Sequence, residues 1–337
     1  MNSALKEAQY YEQLADGEVL CNLCPHNCNI SPSRTGICGV RRNDGGTLHS
    51  LNYGKVIAAN PDPIEKKPLF HVFPGTSAFS IATAGCNLSC KHCQNAHISQ
   101  VEGNVRGRDL PPSQVVEAAA RAGCEGIAYT YTEPTIFFEY AYDTAEIAAD
   151  RGLYNVFVTN GYVERGPVME VSEYLDACNV DLKSFQDRFY RDVTGGSLEP
   201  VLDTIRLINE LDIWLEITTL IIPGLNDSEE ELRDIASFIA DLDSSVPWHI
   251  TGFRPAHKMT DRRPTSVEML RKAKQIGQEE GLRFLYQGNI PGEGESTYCP
   301  ECGKQLISRY GFRLEEYRIK EGNCPDCGES VPGLWDR

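Results

Sequence analysis

The sequence predicts an α/β fold in which parallel strands form a closed or partly closed barrel. Two observations predict it: short apolar runs alternate strictly with amphipathic stretches from Ser77 to Gly288, and polar residues follow several of these runs. A third observation adds metal-binding appendages, because all of the 13 cysteines except Cys124 and Cys178 fall into three groups. We therefore divide the chain into an N-terminal four-cysteine extension (residues 1–76), the barrel (77–292) and a C-terminal zinc ribbon (293–337).

The individual elements follow from the lengths of the runs and from their end signals. Ser113 and Ser228 are good N-caps for two helices, and Glu231 completes a capping box with Ser228. The predicted strands are residues 78–82, 126–131, 155–160, 177–182, 214–222, 248–253 and 282–286. The predicted helices include residues 113–122, 135–151, 228–242 and 266–281. Functional side chains of a βα barrel collect at the C-terminal ends of its strands, so we expect the site there.

Charge and composition exclude several classes of function. The chain carries 32 Lys and Arg against 48 Asp and Glu, a formal charge of −16, which repels phosphate backbones and disfavours a nucleic-acid partner. No stretch approaches the roughly 18 apolar residues of a membrane span, and no signal-peptide core follows Met1. We therefore expect a cytoplasmic protein with no membrane partner, whose cysteines bind metals rather than form disulfides.

The most informative motif is the central trio, Cys86, Cys90 and Cys93, spaced C-x3-C-x2-C directly after the first predicted strand. Three thiolates suit a soft metal and are one short of a closed tetrahedral site. An iron–sulfur cluster held by three cysteines keeps one iron free for a substrate or cofactor. The alternatives are reduced core cysteines or a zinc knuckle completed by His92 or His97, although zinc motifs usually pair C-x2-C units.

Two further cysteine groups flank the trio. The C-terminal set, in two C-P-x-C-G knuckles, predicts a structural Zn²⁺ ribbon, with a rubredoxin-like iron as the alternative. The N-terminal set predicts a second metal site, either Zn²⁺ or a second iron–sulfur cluster; zinc is favoured because little apolar sequence shields it. The C-terminal set is Cys299, Cys302, Cys324 and Cys327, and the N-terminal set is Cys21, Cys24, Cys28 and Cys38.

The trio after a first strand, the βα repeats and the polar strand ends resemble the radical S-adenosylmethionine (radical SAM) enzymes. This resemblance implies a six-strand (β/α)6 partial barrel and a [4Fe-4S] cluster ligated by Cys86, Cys90 and Cys93. It implies that the free iron binds the amino and carboxylate groups of S-adenosylmethionine. An electron from the reduced cluster then cleaves the sulfonium, and the resulting 5′-deoxyadenosyl radical abstracts hydrogen. The protein would thus be an oxidoreductase.

The resemblance also implies a set of cofactor-binding residues. Glu133 stands where the family has a Gly-Gly-Glu motif for the methionine ammonium, although Thr132 and Pro134 depart from that motif. His92 would pack near the adenine, and the segment from Gln287 to Gly292 would close the barrel mouth. The expected cofactor-binding residues are Glu133, His92, Asn160, Asp181, Lys183 and Gly288. The expected substrate groups are His249, Arg254 and His257. The alternative readings are an exposed loop acid for Glu133 and a solvated lysine for Lys183.

A narrower resemblance covers the chain from about Cys21 to Trp335. The runs Cys24-Pro25-His26-Asn27-Cys28 and Asp62 to His71 are similar to those of AmmeMemoRadiSam-system radical SAM enzymes, relatives of pyruvate formate-lyase activating enzymes. It implies AMMECR1-like and Memo-like partners, an electron donor such as flavodoxin or ferredoxin, and a protein, peptide or partner-delivered substrate. The alternatives are a glycyl-radical enzyme activase, and a recognition or electron-transfer module with a vestigial S-adenosylmethionine site.

Overall fold

The computed structural model describes residues 5–101, 104–289 and 294–336. Its strands are β1 (Lys6–Glu7), β2 (Tyr11–Gln13), β3 (Val19–Cys21), β4 (Cys28–Ile30), β5 (Arg41–Asp44), β6 (Thr47–Ser50), β7 (Lys55–Pro63), β8 (Ser77–Thr83), β9 (Arg108–Asp109), β10 (Gly126–Tyr129), β11 (Tyr154–Thr159), β12 (Ala177–Asp181), β13 (Trp214–Ile221), β14 (Trp248–Gly252), β15 (Leu285–Gly288), β16 (Thr297–Tyr298), β17 (Gln305–Tyr310) and β18 (Arg313–Tyr317). Its α-helices are α1 (Ala96–Ser99), α2 (Pro112–Arg121), α3 (Phe138–Asp150), α4 (Arg165–Val171), α5 (Asp187–Phe189), α6 (Glu199–Glu210), α7 (Glu229–Asp243) and α8 (Val267–Glu279).

The central element is a nine-stranded sheet in the order β15-β14-β13-β12-β11-β10-β8-β7-β9. The seven strands from β8 to β15, without β9, are parallel neighbours, which confirms the predicted α/β alternation. The resemblance implied a partial barrel of six strands, whereas the described sheet has seven parallel strands. Their linear order is compatible with a partial barrel, and the closure of the sheet stays a prediction. Strands such as β10 are buried on both faces, as expected when helices cover a parallel sheet.

The sheet also extends into the predicted N-terminal extension. Strand β7 pairs antiparallel with β8 from Val56 to Pro63, so part of the segment before residue 76 belongs to the same sheet. The rest of the extension forms two small three-stranded sheets, and strands β16, β17 and β18 form a third in the C-terminal ribbon. In the described ranges, no helix is both long enough and apolar enough to cross a membrane.

The two predicted helix caps have different outcomes. Ser228 caps α7 as predicted, because its Oγ accepts a hydrogen bond from Glu231 N at 3.2 Å. The Glu231 carboxylate instead accepts the backbone N–H of Phe185 at 2.8 Å and so supports the loop that follows β12. The prediction for Ser113 is wrong: α2 begins one residue earlier, at Pro112, whose fixed φ favours the first helical position.

The C-terminal ribbon packs against the side of the sheet that ends at β15. Its core residues Leu306 and Ile307 share one apolar cluster with Phe70 and Tyr286. Arg309 Nη2 donates a hydrogen bond to the Phe70 carbonyl at 2.6 Å. The ribbon is therefore fixed beside the segment that precedes β8 and beside the C-terminal end of β15.

Candidate active site

A cavity of about 650 Å³ lies at the C-terminal ends of the parallel strands, where the sequence predicts the site. Its volume falls within the range of about 300–1,000 Å³ typical of small-molecule sites. It collects side chains that are distant in sequence, because successive strand ends meet at one edge of the sheet. The predicted site residues that line it are Cys86, Cys90, Cys93, His92, Asn160, Asp181, Lys183, Gly288, His249 and Arg254.

The central trio lies in the loop between β8 and α1 and contributes all three residues to the cavity wall. Its three sulfurs do not all lie within 4.8 Å of one another, whereas those of the C-terminal set do. Thiolates on one tetrahedral zinc lie about 3.8 Å apart, given Zn–S bonds of about 2.3 Å. The trio therefore lacks the close spacing of a preformed tetrahedral zinc site.

Burial influences the protonation of two thiols of the trio, those of Cys86 and Cys90. Desolvation raises the pKa of Cys90 to about 11, although the nearby Lys183 ammonium opposes the rise. Desolvation also raises the pKa of Cys86 well above its usual range, and the Glu133 carboxylate adds to this effect. Because metals bind thiolates, loading the site must displace protons from these thiols.

Lys183 supplies a fixed positive charge to the cavity. Its Nζ pairs with Asp181 Oδ2 at 2.8 Å, and its side chain is only 13% exposed, so it is not a solvated loop lysine. Burial alone would lower the pKa of Lys183, but Asp181 and Cys90 raise it above its usual value. Asn226 Nδ2 donates to the Lys183 carbonyl at 2.7 Å and holds the loop after β12 in place.

His92 presents a neutral ring to the same cavity. Burial, reinforced by the Lys183 charge, lowers the pKa of His92 to about 3, so the imidazole stays uncharged at neutral pH. Its Nδ1 is buried and has no hydrogen-bond partner within the described ranges. A flat neutral ring with an unpaired nitrogen suits packing and hydrogen bonding against a nucleobase.

Glu133 lies behind the cavity wall rather than in it. The residue is 0% exposed, so the reading as an exposed loop acid is wrong. Its carboxylate accepts hydrogen bonds from Thr135 Oγ1 and Thr159 Oγ1, both at 2.7 Å, and from Asn160 N at 2.8 Å. Desolvation raises the pKa of Glu133. Contact with a methionine ammonium stays a prediction, while the observed bonds tie together the ends of β10 and β11.

Asn160 connects this buried carboxylate to the trio. Its Nδ2 lies 3.7 Å from Cys86 Sγ and donates to Asn87 Oδ1 at 2.9 Å. The backbone N–H of Leu88 also points at Cys86 Sγ, at 3.4 Å. Such N–H donors favour a thiolate and tune an iron–sulfur cluster that it ligates.

Sequence reasoning missed a basic cluster in the wall of the same cavity. Lys66 and Lys67 line the cavity, and each pairs with Asp62, at 2.7 and 2.8 Å. Tyr131 donates its hydroxyl to the same carboxylate and adopts φ +65°, a strained conformation for a non-glycine residue. Burial lowers the pKa of Lys67 to about 8 despite Asp62. The sequence signal for this cluster is the charged run from Asp62 to His71.

His249 is the one predicted substrate group that is both buried and paired. Its Nε2 lies 2.5 Å from Glu216 Oε2. Burial alone would raise the pKa of Glu216, but the contact with His249 outweighs this effect and the pKa is lowered. Glu216 also accepts the backbone N–H groups of Phe70 and His71, at 3.0 and 2.8 Å. His257 is exposed and is absent from the described cavity wall.

The remaining predicted sites lie away from this cavity. The four C-terminal sulfurs lie within 4.8 Å of one another, which confirms a group that can hold one metal ion. The N-terminal set also lies outside the cavity, and its metal stays a prediction. Of the predicted closing segment, Gly288 lines the cavity, while residues 290–292 lie outside the described residues.

Comparison with known proteins agrees with this site. Residues 80–239 match the profile of the Radical SAM superfamily. An uncharacterised protein of Methanocaldococcus jannaschii is 45% identical over 97% of this chain and 99% of its own. The pyruvate formate-lyase-activating enzyme of Clostridium pasteurianum is 23% identical over 60% of this chain and 89% of its own. The solved structure of a radical SAM methyltransferase from Sphaerobacter thermophilus shares the fold, with a TM-score of 0.51 and 16% identity over 69% of this chain and 71% of that one.

Proposed function

We propose that the chain, whose residues 80–239 match the Radical SAM superfamily, is a radical SAM enzyme in which Cys86, Cys90 and Cys93 hold a [4Fe-4S] cluster and the adjoining cavity binds S-adenosylmethionine. Bound together, these groups supply a 5′-deoxyadenosyl radical that abstracts hydrogen from a substrate. The observation that carries the proposal is the trio itself, whose three spaced sulfurs form part of the wall of a nucleoside-sized cavity.

The other cavity residues have complementary tasks in binding. The neutral His92 ring packs against the adenine, and the Lys183 ammonium, fixed by Asp181, attracts an anionic group. Gly288 allows the backbone to approach the nucleoside closely. Asn160, held by Glu133, keeps a donor directed at the sulfur of Cys86. Together these residues orient the cofactor and exclude water from the reacting atoms.

We further propose that the substrate is a protein or peptide, or a small molecule delivered by a partner. The ribbon supports this because Glu295 and Phe312 extend the cavity wall to the protein surface. Its large apolar side chains are unusually exposed: Tyr298 49%, Tyr310 65%, Phe312 53% and Tyr317 37%. Exposed aromatic residues beside a cavity suit the docking of a chain segment. Membership of the AmmeMemoRadiSam system, with AMMECR1-like and Memo-like partners, is part of this proposal.

A second candidate is activation of a glycyl-radical enzyme, in which the abstracted hydrogen comes from a backbone glycine of the partner. The similarity to a pyruvate formate-lyase-activating enzyme favours it. The two candidates share the cofactor chemistry and differ only in the hydrogen donor.

The first experiment tests radical formation. The protein is reconstituted anaerobically with iron and sulfide, reduced with dithionite and given S-adenosylmethionine, and 5′-deoxyadenosine is measured by mass spectrometry. We expect product with the wild type and with Cys124→Ala, a buried cysteine outside all three groups, and none with Cys90→Ala. Product from Cys90→Ala, or its absence from the wild type, would contradict the proposal.

The second experiment identifies the hydrogen donor. Proteins captured anaerobically from the native host are incubated individually with the reduced enzyme, and extra 5′-deoxyadenosine marks a substrate. A glycyl-radical EPR signal on the captured protein identifies the activase function, whereas turnover without that signal identifies another protein, peptide or delivered substrate. If Phe312 docks the substrate, Phe312→Ala lowers substrate-dependent product and leaves the background cleavage of S-adenosylmethionine unchanged.

A further inference from the structure

The four N-terminal cysteines form a second group with unassigned chemistry. Cys21 and Cys28 stand opposite each other in the β3–β4 pair, and the Cys24 thiol interacts electrostatically with Cys21, Cys28 and Cys38. The four thiols therefore lie near one another. All of them are free of disulfides.

The spacing of these sulfurs differs from that of the C-terminal set. Within the described ranges, the C-terminal set is the only group of three or more ligand-type residues whose ligand atoms all lie within 4.8 Å of one another. No three of the N-terminal sulfurs meet that condition, just as the central trio does not. A single tetrahedral zinc requires sulfurs about 3.8 Å apart. The N-terminal set therefore lacks the preformed tetrahedral spacing of the C-terminal set, as the central trio does.

The structure also removes the reason for favouring zinc there. The sequence suggested little apolar shielding, yet Leu23, Ile30 and Val40 are 1%, 2% and 0% exposed and belong to the same apolar cluster as Cys21. Arg41 interacts electrostatically with Cys21 and Cys38, although its guanidinium also forms a buried ion pair with Glu139, in which Nη1 lies 2.9 Å from Oε1. Apolar shielding from solvent is compatible with an iron–sulfur cluster, whose reduction potential depends on solvent exposure.

The N-terminal set lies directly beside the loop that carries the trio. A Cβ placed on Gly85, the residue before Cys86, would lie 3.0 Å from the carbonyl oxygen of Cys38. On the other side of that loop, His26 Nε2 lies 2.7 Å from the carbonyl oxygen of Asn87. The segment that carries the N-terminal cysteines therefore packs directly against the loop that carries the central trio.

We propose that Cys21, Cys24, Cys28 and Cys38 hold a second [4Fe-4S] cluster, which passes electrons to the cluster at the central trio. The binding site stands on its own geometry, whereas the electron transfer depends on the function proposed above. One electron moves at a time: the N-terminal cluster is oxidised as the central cluster is reduced, and a low-potential one-electron donor protein then restores the N-terminal cluster. Four cysteine ligands leave this cluster without an open iron, which suits a relay.

Iron, sulfide and zinc analysis of the full-length protein tests the site. After anaerobic reconstitution we expect about eight irons per chain, about four in Cys24→Ala and about four in the variant lacking the whole trio (Cys86→Ala, Cys90→Ala and Cys93→Ala). We expect about one zinc per chain throughout, from the ribbon. The control Cys124→Ala should match the wild type. Two zincs and about four irons in the wild type would overturn the proposal.

EPR spectroscopy separates this inference from the function proposed above. In the trio-less variant a reduced [4Fe-4S] signal should remain and should not respond to S-adenosylmethionine, even if the wild type forms no 5′-deoxyadenosine. Absence of that signal, with iron lost, would refute the second cluster. The relay predicts that Cys24→Ala slows reduction of the central cluster by a donor protein and leaves its reduction by dithionite unchanged. An unaltered rate with the donor protein would refute the relay.

Discussion

Replacing Glu133 tests whether this carboxylate holds the strand ends together or binds the cofactor. In Glu133→Ala the backbone N–H groups of Thr135 and Asn160 lose their acceptor inside the protein, at 3.0 and 2.8 Å in the wild type. Each buried unsatisfied donor costs about 1–3 kcal/mol, so the two together lower the free energy of unfolding by about 2–6 kcal/mol. That is a large fraction of the roughly 5–15 kcal/mol that stabilises a domain.

Glu133→Gln should cost less than Glu133→Ala. In this variant the amide oxygen takes the place of Oε1 and keeps the hydrogen bonds from Thr135 and Thr159. The amide NH₂ group takes the place of Oε2, so the Asn160 N–H loses its acceptor. The expected loss is about 1–3 kcal/mol. The matched control is Glu117→Ala on an exposed helix face, whose ion pair with Arg121 spans 3.6 Å and contributes at most about 1 kcal/mol.

Urea unfolding of the full-length protein at neutral pH, followed by circular dichroism, measures these differences. Binding of S-adenosylmethionine to the reconstituted variants is measured at a temperature where each is folded. Two results together would refute the structural role and identify Glu133 as a ligand. The first is that Glu133→Ala changes the free energy of unfolding by less than about 0.5 kcal/mol, as ordinary surface substitutions do. The second is that it weakens cofactor binding more than tenfold.

Three further predictions concern the metals and the cavity charge. Burial raises the pKa of Cys86 and Cys90, so iron loading should release protons and become more complete as pH rises from about 6.5 to about 9. The iron content measured across this range should therefore increase. A flat profile would contradict the assigned protonation. Cys302→Ala should remove about one zinc per chain and expose residues 294–336 to limited proteolysis without lowering iron content, and an intact ribbon would show that the metal does not stabilise it. Lys183→Met should weaken binding of S-adenosylmethionine by about tenfold to a hundredfold, since a hydrogen bond to a charged group contributes about 1.5–3 kcal/mol; equal affinity in calorimetry would place the cofactor's anionic group elsewhere.

The sequence predicted the parallel strands well because each is a short apolar run bounded by turns. It missed β7, since Pro61 and Pro63 argue against a strand. Strand β9 pairs only with Lys55 and Val56, at the start of β7. Among the described strands, the part of β7 that contains the two prolines therefore pairs with β8 alone, and its other edge tolerates residues without an N–H group. The last strand begins three residues later than predicted, at Leu285, because pairing with β14 rather than local apolarity fixes its start.

The chemistry of the site was less predictable than its location. Trio spacing located the site, but the burial of Glu133 depends on Thr159 and Asn160, which lie at the end of the next strand. The placement of Lys67 depends on its pairing with Asp62, which brings a buried ammonium to the cavity wall. Long-range contacts of this kind have no periodic signal in a single sequence. The metal of the N-terminal set does not follow from residue spacing for the same reason, because strand pairing contributes to the separation of its sulfurs.

The ribbon is distant from the trio in sequence, yet its metal should influence the substrate side of the cavity. Arg309 of the ribbon donates to the Phe70 carbonyl at 2.6 Å and to Thr297 Oγ1 at 2.9 Å, and its Nε lies 3.6 Å from Glu65. Phe70 and Glu65 both line the cavity, as does Phe312 of the ribbon. A buried arginine with such partners transmits a shift of the ribbon to these side chains, because leaving any of the partners unpaired is costly. A closed four-thiolate site can therefore be structural in its chemistry and still influence the side chains that line the cavity.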